Sequence, residues 1–382
     1  MRLPRLLLPA AALAATCAAP AAAQASTVSL EGDAYVFRTG DAGRHIQVTG
    51  YDYVDDRIVF FAQGEAVTAF PDGCGRESWD DPDTIRCPQG PSSVRVEAGA
   101  GDDDITISDE ALGDFTATVL AGGGDDTIEG RRGGQRDRYD GGDGDDVIEG
   151  SDNPELLEGG PGNDKLYGNE GADELHGGPG DDEVVGDSFS KAYADVVDGG
   201  PGVDSSTNDW TNNSVTGTAQ PYVTVSMDGK ANDGRPGERD DVTSVETIVY
   251  HSAATFIAGA EAVSFTLKEV PSGRSKLVGS DKADYLRSPD SPDTIDGRGG
   301  DDEIEGGNND DRITGGPGRD VINADAGPGS CNFLVCRLPH GNDKVLARDG
   351  ARDSIECGAG RDVVIADRKD VVASSCEVVK RR

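Results

Sequence analysis

Aromatic residues make up 5% of the 382-residue chain, with two tryptophans, and Leu, Ile, Val and Phe together fill only 75 positions. Basic residues are also scarce: 35 against 72 acidic ones, a formal net charge of −37. So little apolar surface under so much like charge excludes an ordinary two-domain globular enzyme with a large core. The lack of a basic surface excludes nucleic acid as a partner. Only four histidines occur, and none opens an H-E-x-x-H: His45, His176, His251 and His340 precede IQVT, GGPG, SAAT and GNDK. A G-x-S-x-G nucleophile elbow is missing too, so no catalytic motif accompanies the many paired carboxylates. Two readings survive, a disordered acidic chain or one that folds only with bound cations.

The single sizeable apolar run is at the start. Arg2 and Arg5 precede a stretch from about Leu6 to Ala15, and Ala23-Gln24-Ala25 offers a cleavage site before Ser26. Residues 1–25 therefore read as a secretory signal. The run is short for a membrane anchor, and Ala14-Ala15-Thr16 is a poor approach to a lipidated Cys17. A secreted, extracellular protein without a membrane span is the expectation. Six cysteines remain after cleavage: Cys74, Cys87, Cys331, Cys336, Cys357 and Cys376. An even count in an exported chain favours disulfides. The sequence-local pairing, 74 with 87, 331 with 336 and 357 with 376, is one of fifteen connectivities. Zinc is the weaker alternative because no C-x-x-C occurs.

What the chain has in abundance is glycine, 54 residues, and it is periodic. From Gly141 the sequence cuts without a gap into GGDGDDVIE, GSDNPELLE, GGPGNDKLY, GNEGADELH and GGPGDDEVV. A second run from Gly279 reads GSDKADYLR, SPDSPDTID, GRGGDDEIE, GGNNDDRIT and GGPGRDVIN. AGAGDDDIT from Ala98, AGGGDDTIE from Ala121 and GGPGVDSST from Gly199 flank the first run, and one unit between Gly130 and Asp140 is stretched by two residues. Six glycine-rich positions ending in Asp suit a tight turn. The last three place one aliphatic between two mostly polar residues, a minimal strand with one inward side chain. Ile148, Leu157, Leu166, Leu175 and Val184 are expected to stack as one inner row, and Leu286, Ile295, Ile304, Ile313 and Ile322 as another.

The unit G-G-x-G-x-D-x-U-x resembles the nonapeptide of the repeats-in-toxin family, the hemolysin-type calcium-binding repeat. GGDGDDVIE, GGPGNDKLY, GGPGDDEVV and GGPGRDVIN match all five fixed positions. The resemblance implies an all-β fold, a right-handed parallel β-roll, with several Ca2+ ions per chain held between turns of adjacent coils. Its ligands would be turn carboxylates and backbone carbonyls, the hard oxygen set calcium prefers. Carried onto this sequence, Asp146, Asp164 and Asp182 line one edge and Glu155 and Asp173 the other. In the second run Asp284, Asp302 and Asp320 face Asp293 and Asp311, while Asp103, Asp126 and Asp204 take the same position in flanking units. The first edge keeps its glycines and is expected to bind calcium more fully than the second. Residues 98–204 carry 29 acidic and 6 basic side chains, so the charge concentrates where ions would sit.

The organisation follows: signal 1–25, a small β module 26–97, a first calcium-binding block 98–206, an irregular β insert 207–275, a second block 276–346, and a terminal coil and cap 347–382. In the amino-terminal module, Tyr35, Phe37, Tyr51, Phe60 and Phe61 read as core or cap. The insert reads as strands (YVTVSMDG, TSVETIVYH) around Asp228, Asp233, Asp240 and Asp241, which fail as an EF-hand because Lys230 stands at a ligand position. Asn212-Asn213-Ser214 matches a glycosylation acceptor. In the tail, Asp343, Asp353, Asp362 and Asp370 precede aliphatics by two residues, so the coil continues. Arg352, Arg361 and Lys369 precede three of these aspartates, and these cations are expected to replace part of the calcium. The functional expectation is a non-enzymatic, secreted calcium-binding protein with a structural or scaffold role. The alternative is a calcium-dependent adhesin that engages a cell-surface or glycan partner.

Overall fold

A computed structural model describes residues 26–381 apart from 42, 50–56, 65, 77–81, 89, 109–115, 133–135, 188–192, 209–222, 228–240, 246, 251–253, 260–261, 268–273, 289 and 326–339. The signal segment, Tyr51, the glycosylation acceptor, Asp228, Asp233, Asp240 and the pair Cys331 and Cys336 lie outside the described residues.

Each nonapeptide ends in a strand of three to five residues, and alternate strands fall in opposite sheets of a parallel β-solenoid, consistent with a right-handed roll. In one sheet Val147–Glu149, Lys165–Asn169 and Glu183–Asp187 pair in register, Ile148 on Leu166 and Leu166 on Val184. In the facing sheet Leu157 lies on Leu175. The aliphatics therefore form two facing rows rather than the single row expected, because each turn reverses the chain and hands the next strand to the other sheet. The second run does the same: Leu286, Ile304 and Ile322 share one sheet, Ile295 and Ile313 the other. All ten side chains are buried. A three-residue strand points only its central side chain inward, which explains how so few aliphatics build a continuous core.

The amino-terminal module starts both sheets. Thr27–Glu31 and Ala34–Arg38 form an antiparallel hairpin, and His45–Thr49, Arg57–Ala62 and Thr84–Pro88 an antiparallel meander. Ala34–Arg38 then pairs in parallel with Ser93–Glu97, and His45–Thr49 with Asp104–Ile107, converting the module into the first coil. Tyr35, Phe37 and Phe60 are buried, with Phe37 and Phe60 ring centroids 5.4 Å apart, while Phe61 is half-buried. Cys74 and Cys87 are bonded.

One sheet runs through the segment that lacks the repeat. Ser205–Asn208, Thr247–Tyr250, Ser264–Leu267 and Tyr285–Arg287 pair in sequence, linking the two blocks. The facing sheet does break there. Its amino-terminal half ends at Asp241–Thr243, and a new sheet begins with Val223–Ser226 against Ala254–Ile257. Stacked Phe256 and Phe265, 4.3 Å apart, fill the core at this junction. The tail continues the winding through Lys344–Ala347, Ser354–Glu356, Val363–Ala366, Val371–Val372 and Val378–Arg381, with Cys357 bonded to Cys376. Among the described residues no helix is long and apolar enough to cross a membrane.

Candidate metal centre

The turns stack so closely that only glycine fits at two of their positions. Gly160 and Gly162 have φ of 108° and 157°, and a Cβ on Gly162 would stand 1.8 Å from the Gly144 carbonyl oxygen of the coil before. At the first position the constraint comes from the aspartate itself: a Cβ on Gly159 would lie 2.4 Å from Asp164 Oδ2. The carboxylate folds back over its own turn and reaches the neighbouring coil. There Asp146 N–H donates to Asp164 Oδ1 at 2.8 Å, and Asp164 N–H to Asp182 Oδ1 at 2.8 Å. Asp103, Asp126 and Asp204 extend the same ladder at both ends. Across the roll Glu155 N–H donates to Asp173 Oδ1 at 2.8 Å. In the second block Asp284, Asp302 and Asp320 form one ladder and Asp293 and Asp311 the opposite one. The structure thus joins Asp146, Asp164 and Asp182 in one ladder and Glu155 and Asp173 in the opposite one.

One carboxylate oxygen is used and the other is not. Oδ2 of Asp126, Asp146, Asp164, Asp182, Asp302, Asp311 and Asp320 is buried with no hydrogen-bond partner. Leaving a buried carboxylate oxygen without a donor is costly. Burial, reinforced by neighbouring aspartates, pushes the carboxyls of Asp126, Asp146, Asp164 and Asp302 up to about 7 and that of Asp311 to about 10. Among the described residues no three His, Cys, Asp or Glu side chains converge on one point. A cation between coils would therefore draw on these Oδ2 atoms together with backbone carbonyls, an all-oxygen set that fits a hard ion such as calcium. A model of the RTX calcium-binding nonapeptide repeat (4 copies) matches residues 132–153, 149–184, 278–313, 290–322 and 305–327, about a quarter of the chain. Residues 132–184 and 278–327 are thus similar to RTX calcium-binding repeats. No curated protein matches the chain.

Within the first block the orphaned oxygens are unevenly distributed. On the edge opposite Asp146, Glu155 accepts from both Ser151 Oγ and, at 3.1 Å, Ser151 N–H. One coil earlier the buried Arg131 donates from Nε to Asp137 Oδ2 at 2.9 Å, and Tyr139 Oη donates to the same oxygen at 3.3 Å. Asp137 Oδ1 meanwhile accepts from Ala117 N–H, the ladder role that Asp164 plays on the other edge. A guanidinium thus stands against the oxygen that is left bare elsewhere. Sequence reasoning missed this pair, and its signal was the stretched unit with Arg131 at the second-glycine position. Serines act similarly at the start of the second block, where Ser280 bonds both oxygens of Asp284 and Ser291 both oxygens of Asp293. Asp103 is likewise satisfied, by Arg44 N–H at 2.8 Å and Gly99 N–H at 3.4 Å.

The expected replacement of calcium by tail cations is not what the structure shows. Arg352, Arg361 and Lys369 are exposed, and Lys369 Nζ donates to the Gly350 carbonyl. At the end of each turn Asp353, Asp362 and Asp370 are buried, and the residue immediately before each is exposed.

Proposed function

We propose that this protein is a secreted, calcium-binding repeat protein whose Gly/Asp turns fold on Ca2+ and whose role is that of an extracellular scaffold. The observation that carries this reading is the file of buried, donor-less Oδ2 atoms at Asp126, Asp146, Asp164, Asp182, Asp302, Asp311 and Asp320. Calcium between adjacent coils would neutralise them, and because the unfolded chain lacks the site, binding free energy becomes folding free energy. The edge of Asp146, Asp164 and Asp182 would take ions more fully than the edge held by Arg131 and Ser151. The repeat geometry accounts for the paired carboxylates without acid–base catalysis, which supports a non-enzymatic role. The two bonded cysteine pairs and the leader-like first 25 residues support export.

The test is circular dichroism of the mature chain at neutral pH with chelator and then millimolar calcium, with stoichiometry read by calorimetry. Strand content that rises with calcium, at several ions per chain, is expected; a spectrum indifferent to calcium would overturn the reading. A glycan array probed with the calcium-loaded chain separates scaffold from adhesin, since specific binding would displace the scaffold role.

A further inference from the structure

The RTX match ends at residue 327, yet the ladder continues on the edge that Asp311 occupies. Asp311 N–H donates to Asp343 Oδ1 at 2.9 Å, and Asp343 N–H to Asp362 Oδ1 at 2.9 Å. Asp311, Asp343 and Asp362 are 3%, 1% and 0% exposed, and the Oδ2 of each is buried with no hydrogen-bond partner. Three successive coils therefore repeat the arrangement found at Asp146, Asp164 and Asp182.

Two further features of the consensus turn recur there. The first is the close approach at the fourth turn position. A Cβ on Gly360 would stand 1.5 Å from the Gly341 carbonyl oxygen, the same distance as from Gly180 to the Gly162 carbonyl. The second is the outer ladder at the fifth position. Asn342 N–H donates to Asp310 Oδ1 at 2.9 Å and Arg361 N–H to Asn342 Oδ1 at 3.2 Å; in the first block Asn163 and Asp181 do the same at 2.7 and 2.9 Å. The turns also depart from the consensus: Cys357 replaces the first glycine of the Asp362 turn and is bonded to Cys376, Asn309 stands at the fourth position of the Asp311 turn, and Leu338 and Pro339, outside the described residues, take the first two positions of the Asp343 turn.

We infer that the turns ending at Asp343 and Asp362 form calcium sites outside the consensus repeats, one between the coils of Asp311 and Asp343 and one between those of Asp343 and Asp362. Each site would combine the bare Oδ2 atoms with carbonyls of the described fourth-position residues Asn309, Gly341 and Gly360, the oxygen donors a hard divalent cation takes. The inference rests on the reading that the consensus turns hold calcium, and the experiment separates the two.

Calcium stoichiometry is measured by calorimetry on the full chain, on D343N/D362N and on D146N/D164N. Asparagine keeps the Oδ1 acceptor of the ladder and removes the charge. The expected result is a loss of about two ions in D343N/D362N, with strand content in calcium retained, and a comparable loss in D146N/D164N. Parent stoichiometry in D343N/D362N beside a loss in D146N/D164N would overturn the tail sites alone. No loss in either variant would overturn the underlying reading. If the double tail variant does not fold, D362N alone is read by the same criterion, with about one ion lost in support and none lost against.

Discussion

Along one edge of the first block Asp146, Asp164 and Asp182 each keep a buried oxygen that no donor reaches, while across the roll Arg131 and Ser151 cover the matching oxygens of Asp137 and Glu155. The backbone ladder is the same on both edges. The winding therefore does not depend on what neutralises the carboxylates, whereas the cost of holding them inside does. One edge leaves that cost to the solution, and the other meets it with the protein's own guanidinium and hydroxyl groups.

The sharpest way to break this comparison is Arg131→Met. It removes the internal cation and leaves Asp137 buried, so a loss of about 3–5 kcal/mol is expected in saturating calcium. Denaturant unfolding of parent and variant in calcium measures it; equal stability would show that Arg131 does not carry its edge. Gly162→Ala comes next. At φ 157° and 1.8 Å from the Gly144 carbonyl, the added methyl should cost about 2–4 kcal/mol and weaken calcium binding on that edge. Unchanged melting and calcium titration would contradict the stacking argument. The smallest expected effect is Ser291→Ala, about 1 kcal/mol, because Asp293 keeps its Ser275 N–H donor. That variant should also become more responsive to calcium, since Asp293 loses one of its donors; calcium-dependent melting curves test this.

Acidity offers a change that spares the sequence. The raised carboxyls sit near 7 in the fold against 3.8 for an ordinary aspartate. A folded value above the unfolded one gives stability that is fully present below about 4 and is lost as pH rises through about 7. Calcium-free protein should therefore gain strand content as the pH falls from neutral towards 4, and calcium-loaded protein should change little at neutral pH. Calcium-free circular dichroism that is flat across this range would refute the buried-carboxylate account.

Much of this was legible because a nine-residue period fixes both the inward aliphatic and the turn aspartate. Asp164, Leu166 and their equivalents could be placed without coordinates. Arg131 could not, since its turn is stretched and nothing local says whether an arginine beside glycines points in or out. The tail was misread for a related reason: Arg352 and Arg361 adjoin aspartates in sequence, but in these turns the aspartate is buried and the residue before it is exposed. The bridging segment lacked the period altogether. Its continuity comes from backbone pairing between Ser205–Asn208, Thr247–Tyr250 and Ser264–Leu267, which leaves little trace in side-chain pattern.

The ladder also has a direction. The buried aspartate N–H groups are capped from the following coil: Asp146 by Asp164, Asp311 by Asp343, Asp343 by Asp362, and Asp362 by Glu377. The outer ladder runs the other way, with Asn163 N–H on Asp145 and Asn342 N–H on Asp310. A chain that emerges amino terminus first can therefore form the outer rung on the coil already in place, while the buried rung of each coil closes only when the next coil arrives. Truncation after Ala347, which keeps the strand Lys344–Ala347, should then expose the Asp343 amide to rapid hydrogen exchange while the Asn342 amide, capped by Asp310, stays protected.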